Sequence, residues 1–194
     1  MKKILIIVIA AVLAVGWGLR FYTVNKDVDA PIVQIFPKGE EVPIEKDFFN
    51  YADEEMDGYT VTVLGAELMT AKDFLKKYDA SDQADILGNF TDYIYTVRVC
   101  VANRHNPHTG EKGISLQQYV LQGTDYVLSL EDSCYQLANP DMPGTSFSLK
   151  EGTGMELTLT FDVMSRTTGI KHLEDDVPKL LITQYPHQKM IEIF

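Results

Sequence analysis

Cysteine is scarce in this chain: Cys100 and Cys134 are the two residues of that type among 194. Two cysteines in a chain this long are no disulfide framework. Outside a reducing compartment they either pair or persist as free thiols, and free thiols are the expectation. Neither lies near the N-terminal apolar run, so acylation of a lipobox cysteine is excluded. The signatures of nucleophilic catalysis are also missing: no G-x-S-x-G elbow, no cysteine with a base beside it, no S-x-x-K. H-E-x-x-H, a P-loop and G-x-G-x-x-G are absent as well. GTGMEL (152–157) lacks the further glycine and the helix of a dinucleotide fingerprint and reads as a turn entering a strand. These absences leave converging carboxylates as the one hydrolytic chemistry that spacing does not test, since two acids need meet only in space.

Basic residues are few too. There are 17 against 28 acidic ones, and Lys2, Lys3 and Arg20 flank the apolar run. That leaves 14 basic residues against 28 acidic in the rest, or about −14. Such a charge argues against nucleic acid or anionic lipid as partners. It suits a soluble extracytoplasmic surface or a cationic ligand.

One long apolar run is present, MKKILIIVIAAVLAVGWGLRFY. Lysines followed by an apolar run engage the export machinery. As a helix, 4–19 spans roughly 24 Å, slightly short of a ~30 Å hydrocarbon core, and snorkelling lysines and Arg20 absorb the difference. Cleavage at Ala14-Val15-Gly16 is the alternative. It is disfavoured because Val12 sits where a small residue belongs and Trp17 would become the new N-terminus. The expectation is a single-pass anchor with a cytoplasmic N-terminus, Trp17, Phe21 and Tyr22 at the outer interface, and an extracytoplasmic domain, secreted if the leader is cut. The organisation expected is a stub (1–3), a transmembrane segment (4–22), a polar tether (23–30) and one domain (31–194).

Within 31–194 apolar and polar residues alternate in short segments. PIVQIF (31–36) is a strand bracketed by Pro31 and Pro37. In 38–49 Val42 and Ile44 are two apart, with Pro43 forcing an edge or irregular course. In 58–69 Tyr59, Val61 and Val63 share a face. Gly65 then marks a bulge, after which Leu64, Ala66 and Leu68 take the apolar phase. Thr70 with Asp73 resembles a capping box opening a helix with Phe74, Leu75 and Tyr78 on one side, and 81–88 holds another helical turn. The longest strand, 90–106, turns Tyr93, Tyr95, Val97, Val99 and Val101 inward and Thr96, Arg98 and Cys100 outward. Strands follow in ISLQQYVLQ and DYVLSL. After a turn at 151–154, Met155, Leu157, Leu159, Phe161 and Val163 alternate with Glu156, Thr158, Thr160 and Asp162. PKLLITQY and HQKMIEIF close the chain. Many short strands with one short helix make an all-β, antiparallel β-sandwich.

Three features join into a family pattern: the leader, the strand entering Val101-Ala102-Asn103, and SLKEGTGMELTLTFDV. Together they resemble the telokin-like, immunoglobulin-like domains attached to the envelope of Gram-positive bacteria. There a strand ends at an Asn and a Gly turn leads into a strand closing on Phe-x-Val, positions held here by Asn103, Gly152 or Gly154, Phe161 and Val163. KGEEVPIEKDFF and DGYTVTVLGAELM further resemble a narrower group of single-anchor exported proteins with no assigned role. The resemblance implies a fold and a location and carries over no catalytic residue. Lipoprotein relatives are common, and the missing lipobox departs from them.

Candidate chemistry is thin. Asp53, Glu55 and Asp57 followed by Gly58 resemble the first half of a calcium loop, but the bidentate glutamate position is Leu64, so a solvated acidic turn is the expectation. His105 and His108 are three apart, with His172 and His187 distant, and exposed turn histidines are the ordinary explanation. Arg98 on a strand face is a solvated cation or a binding group. Among the tyrosines Tyr93 and Tyr95 are expected in the core, and Tyr119, Tyr126 and Tyr135 fit core or interface. No catalytic, cofactor or metal site is assigned. The function expected is non-enzymatic: a membrane-held module binding another envelope protein. The alternatives are capture of a cationic peptide or small molecule and a carboxylate hydrolase.

Overall fold

The computed structural model describes residues 2–26, 30–50, 55–87, 91–108, 113–142, 144–164 and 176–194. Met1–Ala30 and Pro31–Phe194 are two separate compact units. The first is helix α1 (Lys2–Asn25), long and apolar enough to cross a membrane as an anchor or a signal sequence does. Its described side chains are all exposed, and Trp17 stacks on Phe21 one turn on.

The second unit is a β-sandwich, as the alternation predicts. One sheet has the order β2 (Glu41–Pro43), β3 (Tyr59–Thr70), β4 (Tyr93–Asn103), β9 (Thr153–Val163). The other runs β1 (Ile32–Phe36), β11 (His187–Glu192), β10 (Lys179–Thr183), β6 (Val120–Gln122), β7 (Val127–Ser129). A two-stranded ribbon joins β5 (Ile114–Ser115) to β8 (Ser146–Phe147). The strand pairs are antiparallel except β1–β11, which is parallel.

Period-two alternation produces the core. Val61, Val63, Val97, Val99, Leu157, Leu159 and Phe161 from one sheet share a buried cluster with Leu121, Leu128, Leu180, Ile182 and Ile191 from the other. The expected bulge is present: Val63 faces Val99 and Gly65 faces Arg98, so Leu64 is the extra residue and Ala66 and Leu68 return to the inner face. Tyr95, Tyr119, Tyr126 and Tyr135 are buried. Tyr93 is not: it is 39% exposed at the first position of β4, opposite Thr70 and Val163, the last residues of their strands.

Two short helices lie on the outer face of the β3-β4-β9 sheet. Helix α2 (Ala71–Lys77) starts where expected, with Thr70 Oγ1 accepting from Asp73 N at 3.1 Å and donating to Asp73 Oδ2 at 2.6 Å. The turn expected in 81–88 is a 3₁₀ turn at Ala84–Leu87. Helix α3 (Asp132–Ala138) was not signalled by periodicity; Glu131 caps it by accepting from Cys134 N at 2.6 Å. These elements bury a second cluster, Met69, Phe74, Leu75, Ile94 and Cys134, on the sheet's far side.

Candidate functional site

The acidic turn and the histidine turn, separate in sequence, meet in space. Asn103, at the end of β4, is wholly buried and donates through Nδ2 to Asn106 O (2.9 Å) and Leu149 O (2.8 Å), while its Oδ1 accepts from Asn106 N (2.7 Å). Asn106 in turn donates to Glu55 O (3.1 Å) and Asp57 O (2.6 Å). Gly58 is required beside this knot: its φ is +93° and a Cβ there would lie 2.5 Å from Asn106 N. The result is an open hollow of about 370 Å³ with Lys46, Glu55, Asp57, His105 and His108 around it. His108 Nε2 is 3.6 Å from Glu55 Oε2. Among the described residues no three His, Cys, Asp or Glu side chains converge to hold a metal ion. Asp53 and His172 lie outside the described residues. His187 is not part of the hollow.

His187 belongs instead to a buried ionic cluster that the motif reading missed. Lys189 on β11 is 1% exposed and its ammonium donates to Pro43 O (2.8 Å), Ile44 O (3.2 Å) and Glu45 Oε2 (2.6 Å). Those three bonds use its three protons. Asp47 Oδ2, also buried, meets the same nitrogen at 2.7 Å as an ionic contact without a directed hydrogen bond, and His187 Nδ1 hydrogen-bonds Asp47 Oδ1 at 2.9 Å. Glu45 adopts φ +58° in this loop. The signal was available: His187, Lys189 and Ile191 share the inward phase of β11. The cluster fastens the loop after β2 to the strand that carries β1.

The two cysteines are free, so the disulfide alternative is not realised. Cys100 is half-buried on the outer face of β4, whereas Cys134 sits in the cluster around Ile94, six residues and about 20 Å further down the strand. Disulfide geometry allows less than about 7 Å between Cα atoms. Burial, reinforced by the Glu131 carboxylate, pushes the Cys134 thiol far above its ordinary range, so it stays protonated. Burial and the same carboxylate also push Asp162 up.

Arg98 points outward from β4, as expected, between Gly65 on β3 and Thr158 on β9. A groove of about 350 Å³ lies there, walled by Lys77 and Tyr78 from the end of α2.

The sheet edges differ sharply. Edge strands β2 and β7 have three residues each, and β2 ends in Pro43. The edge of β9 is closed by the segment around α3: Glu131 N donates to Thr160 O (2.8 Å), and the Asn139 side chain donates to Thr158 O and accepts from Thr158 N, both at 2.8 Å. Among the described residues no segment pairs with the outer edge of strand β1. Ile32 N donates inward to Pro186 O, so the backbone groups of Val33 and Ile35 face away from β11. Ile32, Val33 and Ile35 are 61%, 54% and 53% exposed.

No curated protein and no solved structure matches the chain. The sequence pattern of a domain of unknown function (DUF5028) matches residues 33–189, which takes in the sandwich from β1 into β11, and the chain therefore belongs to the DUF5028 family.

Proposed function

We propose that this chain is a non-catalytic, membrane-anchored immunoglobulin-like sandwich, its N-terminus cytoplasmic and its domain outside. It binds another protein of the cell envelope by accepting an extended segment of that protein along the free edge of β1. The strand order supports the immunoglobulin-like reading. The order β11-β10-β6-β7 corresponds to the G-F-C-C′ sheet and β3-β4-β9 to A-B-E, with β1 and β2 as N-terminal additions. The Gram-positive envelope is the setting that the family resemblance supplies.

The carrying observation is the uncovered, apolar edge of β1. Exposed edges invite pairing, and natural sheets shorten, charge or cover them. Of the four edges of the two main sheets, three are short or sealed and the fourth displays three large apolar side chains. Only residues 26–31 separate β1 from the end of α1, a reach of about 20 Å, so a partner for this edge is one held at the same membrane. Confinement there raises the effective concentration, which lets a five-residue strand suffice. The flanking Pro31 and Pro37 limit the added strand to that length.

The test is cross-linking in intact cells that carry the full chain, followed by recovery from the membrane fraction. A recurrent partner protein that is lost with Val33→Lys or Ile35→Lys is the expected result. Recovery of the chain alone, of a second copy of itself, or of a partner indifferent to both changes overturns the proposal. Turnover of any substrate class by the purified chain overturns its non-catalytic part.

A further inference from the structure

The outer face of the β3-β4-β9 sheet carries a groove, and β1 belongs to the other sheet. Gly65, Arg98 and Thr158 form one cross-strand row, so Arg98 and Thr158 project from the same face with Cβ atoms about 5 Å apart. Among the described residues nothing beyond its chain neighbours lies within 4 Å of where a Gly65 side chain would start, which leaves space over one flank of the guanidinium. The far wall is the C-terminal end of α2, with Lys77 and the Tyr78 ring.

Charge is distributed unusually in this groove. Arg104, the other described arginine of the domain, is held in a two-pronged pair by Glu41. Arg98 has no hydrogen bond or ion pair among the described residues, although acids outnumber bases two to one in the exported part. The acid that lines the groove, Glu67, is already held by Lys77 at 2.6 Å. Glu67 is therefore neutralised as a competitor for the guanidinium and as a source of repulsion. The Thr158 backbone amide and carbonyl are both bonded to the Asn139 side chain, while its hydroxyl has no partner among the described residues.

We propose that this groove binds a carboxylate, which accepts from the Arg98 fork and from the Thr158 hydroxyl. A planar fork matches a carboxylate with two parallel bonds. One free cation balances one negative charge; a phosphate dianion would face the protein's acidic field with half its charge unanswered. At about 350 Å³ the groove has room for a chain end or an acidic side chain, with its flanking residue against Tyr78.

The experiment is saturation-transfer NMR on the full chain in nanodiscs with three probe peptides. These are N-acetyl-tetra-alanine with a free C-terminus, the same peptide amidated, and an amidated version with one central glutamate. Binding of the free acid and not of the plain amide assigns a chain-terminal carboxylate. Binding of the glutamate peptide instead assigns an acidic side chain. In either case Arg98→Gln lowers affinity at least tenfold, Arg98→Lys lowers it less, and Thr158→Val lowers it a few-fold. Val33→Lys leaves it unchanged, which separates this site from the β1 edge. Equal binding of acid and amide, equal binding by the Arg98→Gln chain, or no saturable binding of any probe overturns the proposal. Arg98 is exposed, so its replacement leaves the fold intact, and circular dichroism checks that.

Discussion

The two longer edges of this sandwich, β1 and β9, are handled in opposite ways. At β9 the segment around α3 behaves like an additional strand: Leu130 bridges Phe161, Glu131 N answers Thr160 O, and one asparagine side chain answers both backbone groups of Thr158. At β1 the outward backbone groups have no such cover among the described residues, and the side chains beside them are Ile and Val. An edge that is sealed contributes to stability, whereas an open apolar edge is kept at some risk of aggregation. The contrast separates residues that hold the domain together from residues that are available to a partner.

The largest expected effect lies beneath the open edge. Lys189 pairs in register with Gln34 of β1 and neutralises Asp47. Lys189→Met leaves a buried carboxylate without its cation and should cost about 4 kcal/mol, read by urea unfolding. Adding Asp47→Asn to that chain should recover part of the loss. Full stability of the single variant would mean that the ionic cluster does not hold β11.

Next comes the sealed edge. Asn139→Ala removes three hydrogen bonds and strands the Thr158 amide and carbonyl, for an expected loss of about 2–3 kcal/mol in the same assay. A loss below about 0.5 kcal/mol would show that water replaces the side chain and that this edge too is effectively open.

A smaller effect, of opposite sign, is expected at Asp162 under α3. Its folded carboxyl binds its proton more tightly than the unfolded one, because burial and Glu131 disfavour the charge. Stability therefore falls as pH rises from the ordinary carboxylate value through the raised folded value. Asp162→Asn should raise the melting temperature above that window and leave it unchanged at acid pH. An equal shift at both pH values would rule out the titration.

The smallest expected effect on stability belongs to the open edge. Val33→Lys and Ile35→Lys should stay within about 0.5 kcal/mol of the parent while abolishing partner recovery. A large loss of stability would place these side chains in the fold's own support and remove the contrast between the two edges.

Much of the architecture is legible from local pattern. Alternation in β3, β4 and β9 requires a buried face, so Val97, Val99, Leu157 and Leu159 fall where period two puts them. The bulge at Leu64-Gly65 follows from the switch in apolar phase, and α2 from Thr70, Asp73 and the Phe74-Leu75-Tyr78 stripe. Helix α3 is not legible in the sequence because DSCYQLA has no wide apolar stripe and follows a run that alternates like a strand. Tyr93 departs from the expected core because alternation gives a residue's face and not how far a strand-end side chain is covered.

The chain by itself determined the N-terminal apolar helix, the acidic surface, the sandwich class and the outward face of Arg98, since each follows from composition or from periods of two and 3.6. Tertiary structure alone decided which edges are covered, that the 55–58 and 103–108 turns share one asparagine knot, and that Lys189 neutralises Asp47 from 142 positions away along the chain. These are pairings across long sequence separations, fixed by how two sheets stack and by which buried polar atoms need partners. No local pattern encodes them.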